Sequence, residues 1–169
     1  LALPGSSGRL ETWKSRVESF TSVDTEDSYQ VEQSKIAIAS GGLFGKMPGN
    51  STQRNFLPHP YSDFIFAIII EEYGLVGGAF ILLMYLILMY RAVKIVIQIP
   101  RHFGAYMVVG VTFSLVFQAM INMGVAVDLL PVTGQPLPMI SMGGTSIWFT
   151  SISFGIILSV SKEIREENI

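Results

Sequence analysis

The sequence predicts an all-α integral membrane protein with three transmembrane helices, and three observations support this. Half of the 169 residues are hydrophobic and only 14% are charged, with a mean hydropathy of +0.49. Such a composition is typical of membrane proteins. Residues 61–90 form an apolar run that, at ~1.5 Å per helical residue, exceeds the ~30 Å hydrocarbon core of a bilayer. Two further apolar segments follow, at 104–127 and 145–161.

The composition also excludes several classes of function. The net charge of -2 and the absence of a basic stripe argue against a nucleic-acid partner. Without cysteine, the chain has neither a disulfide framework nor a thiolate site. The sequence opens with Leu-Ala-Leu-Pro-Gly, which is neither an initiator Met nor a signal peptide. We therefore expect the C-terminal part of a larger membrane protein.

Residues 1–60 are mixed and polar, and short helices are expected in them. Residues 10–20 could form an amphipathic helix, and residues 29–39 a second one that a Ser-Gly-Gly sequence ends. The glycine-rich loop that follows fails as a Walker loop, because Met47 stands where Ser or Thr is needed. Its exposed backbone N–H groups beside Lys46 and Arg54 suit either a phosphate or an ordinary solvated turn.

The start of the first span carries an acid. Pro58 and Pro60 cannot lie inside a helix but can lead into one, so the helix should begin near residue 61 or 62. Asp63 would then lie in the first turn, where the membrane meets water. Two interpretations remain open: Asp63 caps the helix, or it acts as a general base on a lipid-linked substrate.

Among the polar residues of the apolar segments, two acids and two amides point to a role. Glu71 and Glu72 would each cost ~2.5–3.5 kcal/mol at the centre of a span, so at least one should face other helices. That residue could pair with a cation or line a cavity or ion pathway. Gln118 and Asn122 continue a four-residue spacing of polar and small residues, which predicts either interhelical hydrogen bonds or a substrate groove.

The short loops give an orientation. The loop at 91–103 and the tail at 162–169 carry Lys and Arg, whereas the connection at 128–144 carries none. The positive-inside rule therefore places the first two on the cytoplasmic side and the connection outside, together with Asp63 and the 1–60 region. The connection contains three prolines and three glycines but is apolar. We expect a re-entrant loop beside Asp63 that either lines a cavity or plugs the bundle.

Three blocks then indicate a family. Residues 30–45 (QVEQSKIAIASGGLFG), 57–74 (LPHPYSDFIFAIIIEEYG) and 122–146 (NMGVAVDLLPVTGQPLPMISMGGTS) resemble the FtsW/RodA/SpoVE family of peptidoglycan polymerases, most closely its division-type FtsW branch. The resemblance implies the last three spans of a polytopic bundle in the bacterial inner membrane. It also implies a glycosyltransferase that polymerises lipid II on the outer face, with Asp63 as the catalytic carboxylate. His59, Thr133 and Met142 depart from residues common in the family.

Further expectations concern the site and the partners. We predict substrate contacts from Lys46, Arg54, Ser141, Gly143 and Gly144, with a divalent cation as another candidate to neutralise the leaving diphosphate. No metal-binding residues are predicted. The resemblance implies a class B penicillin-binding protein and other division proteins as partners. Two alternatives remain: a lipid II flippase whose path includes Glu71, and a non-catalytic membrane scaffold that docks a transpeptidase.

Overall fold

The structure, a computed structural model, describes residues 26–56, 61–99 and 102–167. These residues form four α-helices: α1 (Glu26–Gly41), α2 (Ile65–Gln98), α3 (His102–Ala126) and α4 (Gly144–Glu167). A short 3₁₀ turn, Gln53–Asn55, lies between α1 and α2, and no strand occurs in the described ranges. The all-α prediction and the second short helix are confirmed. The amphipathic helix predicted over 10–20 and the departure at His59 lie outside the described residues.

Three helices are long and apolar enough to cross a membrane, as predicted: Ile65–Gln98, Phe103–Ala126 and Gly144–Lys162. The connection between the first two is shorter than expected, because α2 continues to Gln98 and α3 begins at His102. Pro100 explains the position of this gap, since a proline disfavours helix at the residue before it.

The first span begins later than predicted, so Asp63 does not lie in its first turn. Residues 61–63 form a turn, and the helix starts at Ile65. The main-chain carbonyl groups of this turn are already occupied, since Tyr61 O accepts from Met142 N at 2.9 Å and Asp63 O accepts from Asn122 Nδ2 at 2.8 Å. These contacts hold residues 61–63 as a turn against α3 and the 128–144 connection.

A break at Gly74 divides α2, and the sequence reading did not predict it. Gly74 has φ 73° and ψ −173°, so residues 65–73 form a separate half-helix ahead of residues 75–98. The glycine-rich loop supplies hydrogen bonds to both sides of the break. Lys46 N donates to Glu71 O at 2.9 Å, and Leu75 N donates to Gly42 O at 2.9 Å. The orphan groups that a helix break creates are thus satisfied.

The close approach of the end of α1 and of the glycine-rich loop to the half-helix explains three glycines. A Cβ atom on Gly45 would lie 2.2 Å from Glu72 O, and one on Gly41 would lie 2.1 Å from Ile70 O. A Cβ atom on Gly74 would lie 2.2 Å from Leu43 O. Real Cβ contacts do not reach such distances, so only glycine fits where the two backbones meet. The glycines therefore serve helix packing.

The core lies where α1, the half-helix, the end of α3 and the 128–144 connection meet. Its buried members include Ala37, Phe66, Ile70, Met123 and Leu137. Ser34 ties α1 to the end of α3 by donating to Ala126 O at 2.7 Å. A separate cluster of Ala92, Val108 and Ile157 packs the three spans together. The turn that carries Asp63 is therefore held at the border of the larger core.

Candidate active site

Asp63 lies in the turn just before α2, with its side chain partly buried. Ser62 Oγ donates to Asp63 Oδ1 at 2.8 Å. The other carboxylate oxygen, Oδ2, faces Gly134 of the 128–144 connection: a Cβ atom built on Gly134 would lie 3.8 Å from it. Gly134 has φ 67°, a conformation that favours glycine. Ser62 thus binds Oδ1, whereas Oδ2 faces Gly134, which has no side chain.

The predicted polar face of α3 binds the 128–144 connection rather than another helix. Asn122 is 1% exposed, and its Nδ2 donates to Asp63 O and to Gln135 O, both at 2.8 Å. Gln118 Nε2 donates to Pro136 O at 2.9 Å. These contacts match neither the predicted interhelical hydrogen bonds nor the predicted groove. Irregular backbone exposes carbonyl groups that need donors at this depth, and the two amides supply them.

The 128–144 connection returns to Asp63, as predicted, and inserts into the core. Leu137 is fully buried, and Tyr85 of α2 donates its hydroxyl to Pro138 O at 2.5 Å. Ser141 Oγ accepts from Leu137 N at 2.7 Å and donates to Ser62 O at 2.6 Å. The tip of the connection therefore plugs the bundle, and Ser141 ties it to the Asp63 turn.

The first part of the same connection borders a groove of about 910 Å³ between α2 and α3. Its walls are almost entirely apolar and include Phe66, Leu82, Phe117, Met123 and Leu130. Pro131 and Thr133, which also line the groove, precede the Gly134 that faces Asp63. The connection therefore both plugs the bundle and lines a cavity, so the two predicted alternatives hold for different parts of it. An apolar chain could lie in this groove with its end toward Asp63.

Glu71 is the most completely buried acid of the described chain, with 0% exposure. It pairs with a cation, one of the two predicted roles, but its partner is Lys46 of the glycine-rich loop at 2.9 Å rather than a residue of another span. Its carboxylate also accepts hydrogen bonds from Ser40, Ser51, Thr52 and Gln53. A buried charge needs such a full set of partners. Glu72 is only partly buried.

The other predicted binding residues are spread around this centre. Lys46 is engaged by Glu71 and by Thr52 Oγ1 at 3.1 Å. The Arg54 guanidinium lies 5.9 Å from the ring centroid of Tyr61, two residues before Asp63. Gly144 is the first residue of α4 and Gly143 precedes it, with Met142 between them and the buried Ser141. Ser141 and Arg54 thus contact the Asp63 turn, whereas Lys46 forms an ion pair with Glu71. The substrate-binding roles of all five residues stay predictions.

The residues of the site also bear on the predicted divalent cation. The described part of the chain has no group of three or more His, Cys, Asp or Glu side chains that could hold a metal. A magnesium ion bound mainly by substrate phosphates needs only one or two protein carboxylates, and Asp63 could supply one. The cation therefore stays a prediction.

Comparisons with known proteins identify relatives of this chain. A segment is 43% identical over 138 residues to stage V sporulation protein E of Bacillus subtilis, covering 81% of this chain and 38% of the relative. A segment is also 41% identical over 134 residues to peptidoglycan glycosyltransferase MrdB of Escherichia coli K12, covering 78% of this chain and 36% of that relative. The probable peptidoglycan glycosyltransferase FtsW of Geobacter metallireducens is 38% identical over 142 residues, and the match covers 83% of this chain and 38% of that relative.

A solved structure is also similar. One chain of a peptidoglycan synthase complex that coordinates polymerization and crosslinking matches with a TM-score of 0.65 and 27% identity, over 79% of this chain and 37% of that one. The chain thus spans well under half the length of the relatives it matches. A family model described as a cell cycle protein (FtsW, RodA, SpoVE) matches residues 6–166. The chain therefore belongs to the FtsW/RodA/SpoVE family.

Proposed function

We propose that the protein is a peptidoglycan glycosyltransferase that polymerises lipid II into glycan strands during cell division, with Asp63 as general base. Two of the relatives described above carry the name peptidoglycan glycosyltransferase, one of them as probable. The observation that carries the proposal is the placement of Asp63. Its carboxylate is partly exposed, and Oδ2 faces Gly134, the residue after Thr133, which lines the apolar groove.

In the proposed reaction, Asp63 accepts the proton of an acceptor sugar hydroxyl while that oxygen attacks the anomeric carbon of the donor strand. The bond from this carbon to the diphosphate breaks, and the electron pair leaves with the polyprenyl diphosphate. A base must lie within ~2.6–3.2 Å of the hydroxyl it deprotonates. The hydrogen bond from Ser62 to Oδ1 orients the carboxylate and leaves Oδ2 for the proton. A single displacement inverts the sugar configuration.

The leaving diphosphate needs a cation near the same position. Arg54 is the better candidate of the two predicted cations, because it lies over Tyr61 while Lys46 pairs with Glu71. The guanidinium group can bind two phosphate oxygens at once. We therefore assign the diphosphate to Arg54 and a structural role to Lys46.

The location and partners belong to the same proposal. The cations of the 91–103 and 162–169 segments support a cytoplasmic position for these segments and an outer position for Asp63 in the bacterial inner membrane. The structural relative comes from a peptidoglycan synthase complex, which supports a class B penicillin-binding protein as partner. The family model is described as a cell cycle protein, which supports a role beside other division proteins.

The flippase alternative receives less support from the contacts. It needs Glu71 and the polar face of α3 to line a translocation path. Glu71 is fully buried under the glycine-rich loop, and the amides of Gln118 and Asn122 bind backbone carbonyl groups. The Glu71 carboxylate and the two amide nitrogens already have partners, so a passing headgroup would have to displace these partners.

The test compares two acids in the purified intact protein with its transpeptidase partner. Asp63→Asn keeps the shape of the side chain but removes the base, and we expect the rate of lipid II polymerisation to fall by about 10²-fold or more. Asp128→Asn is the matched control, because Asp128 lies in the 128–144 connection that faces Asp63 but pairs with Lys35. It should retain the rate. A wild-type rate for Asp63→Asn would refute the role of Asp63.

A further inference from the structure

Glu71 closes a ring of residues that contains Asp63. Ser51 Oγ donates to Glu71 Oε2 at 2.5 Å, and Thr52 N and Oγ1 donate to Oε1 at 3.1 and 2.8 Å. The covalent chain joins this segment to Asp63, and the half-helix leads from the Asp63 turn back to Glu71. The hydrogen bonds of one carboxylate therefore join the two ends of the 51–71 segment.

The same carboxylate acts as a remote cap for the 3₁₀ turn. The N-cap residue Thr52 makes no side-chain capping hydrogen bond of its own. Instead, the N–H groups of Thr52 and Gln53 donate to Glu71, at 3.1 and 3.3 Å. The first N–H groups of a helix lack partners within it, and an ionised carboxylate is a strong acceptor for them. Glu71 thus fixes the start of the 3₁₀ turn.

The opposite side of the ring is fixed independently. Asn122 Nδ2 donates to Asp63 O at 2.8 Å, and Ser141 Oγ donates to Ser62 O at 2.6 Å. Both donors belong to α3 or the 128–144 connection. The Asp63 turn is therefore held at two places, by Glu71 through the ring and by Asn122 and Ser141 directly. Loss of either hold leaves the turn attached on one side only.

We propose that Glu71 is a positioning residue that sets the Asp63 carboxylate against the 128–144 connection. The inference rests on the proposed role of Asp63 as base. Glu71 is fully buried beneath the loop and acts through the ring rather than by touching substrate. Misplacing a catalytic group by about 1 Å can cost about 10²-fold in rate, so a flexible ring would lower turnover more than substrate binding.

The kinetic arm uses neighbouring acids of α2 in the intact protein, with rates normalised to folded, monodisperse protein. Glu71→Gln should lower kcat for lipid II polymerisation by about tenfold or more while KM stays within about threefold. Glu72→Gln, one residue further along the same helix, should change kcat by less than about twofold. A kcat for folded Glu71→Gln within about twofold of wild type would overturn the proposal.

The geometric arm does not depend on activity. This chain has no cysteine, and any cysteine elsewhere in the intact protein is first replaced by serine. Met142 N donates to Tyr61 O at 2.9 Å, so the Tyr61→Cys/Met142→Cys pair reports the distance between the Asp63 turn and the connection. Adding Glu71→Gln should slow disulfide formation by about threefold or more if the ring positions the turn. An unchanged rate of disulfide formation overturns the proposal even if kcat falls.

A second variant covers the case in which Glu71→Gln does not fold. Ser51→Ala removes one hydrogen-bond donor to Glu71 but keeps the ion pair between Glu71 and Lys46. Like Glu71→Gln, it should lower kcat and slow disulfide formation. Wild-type values for both would overturn the inference. Asp63→Asn, measured in parallel, separates the two hypotheses. A wild-type rate for that variant refutes the proposed function, whereas the disulfide measurement still tests the ring.

Discussion

The side-chain amide of Asn122 holds the backbone of Asp63: Nδ2 donates to the Asp63 carbonyl oxygen at 2.8 Å and, from its second hydrogen, to Gln135 O at 2.8 Å. One nitrogen atom therefore joins the turn before α2, helix α3 and the 128–144 connection. Neither carbonyl group lies in a regular helix, and Asn122 itself is buried. The position of the candidate base consequently depends on a residue 59 positions later in the chain.

Asn122→Ala should destabilise the protein, because it leaves two carbonyl groups without this donor. An unsatisfied buried polar group costs about 1–3 kcal/mol, and we expect the free energy of unfolding to fall by at least that amount. The measurement is a denaturant titration in mixed micelles. Ser114→Ala, on the exposed side of the same helix, is the control and should change the value little. Equal stability of the two variants would contradict the prediction.

Gly74→Ala should be severely destabilising. The residue has φ 73°, and its Cβ atom would lie 2.2 Å from Leu43 O, a backbone atom that cannot move without opening the glycine-rich loop. We expect a loss above about 4 kcal/mol or no folded protein, measured by thermal unfolding and yield. Gly110→Ala offers the matched control, because nothing lies within 4 Å of its Cβ position. That control should be neutral or stabilising by up to about 1 kcal/mol.

Tyr85→Phe should weaken the attachment of the 128–144 connection. The change removes the hydroxyl that donates to Pro138 O and leaves that buried carbonyl group unsatisfied. The expected loss of unfolding free energy is about 1–3 kcal/mol. Tyr73→Phe, at a tyrosine that is 51% exposed on the same helix, should have almost no effect. Hydrogen exchange of residues 135–142 provides the local measurement, and unaltered protection there would count against this attachment.

Leu137→Ala should create a cavity in the larger core. Leu137 is fully buried, although it lies in a segment without regular structure. Truncating a buried leucine costs about 2–5 kcal/mol, depending on how far the site relaxes. Leu129→Ala, at a leucine that is 75% exposed, controls for the substitution itself. If the two variants unfold at the same denaturant concentration, Leu137 does not anchor the connection.

The sequence predicted the spans and the neighbourhood of Asp63 because both follow from local features. Apolar length predicted three helices, and prolines and glycines in an apolar segment predicted a loop that returns to the membrane. The start of α2 was predicted too early because the contacts that hold the turn come from Asn122 and Met142, both distant in the chain. Local signals do not report such contacts.

The break at Gly74 and the role of Glu71 were missed for the same reason. Glycine is common in transmembrane helices, so Gly74 inside an apolar run does not by itself indicate a break. What opens the helix is the backbone of a loop some 30 residues earlier, which supplies the missing hydrogen bonds. The sequence carried one signal of the break: two adjacent acids, Glu71 and Glu72, stand shortly before Gly74. Glu71 needs polar partners, and a lipid-facing helix does not provide them.

The break at Gly74 also shortens the part of α2 that has to cross a membrane. Residues 75–98 measure about 36 Å at 1.5 Å per residue, which alone exceeds the roughly 30 Å between the two edges of the acyl chains. The nine residues before the break, about 14 Å of helix, are therefore not needed to cross the hydrocarbon layer. The glycine-rich loop binds them instead, and under the proposed function this short helix serves to hold Asp63 against the 128–144 connection.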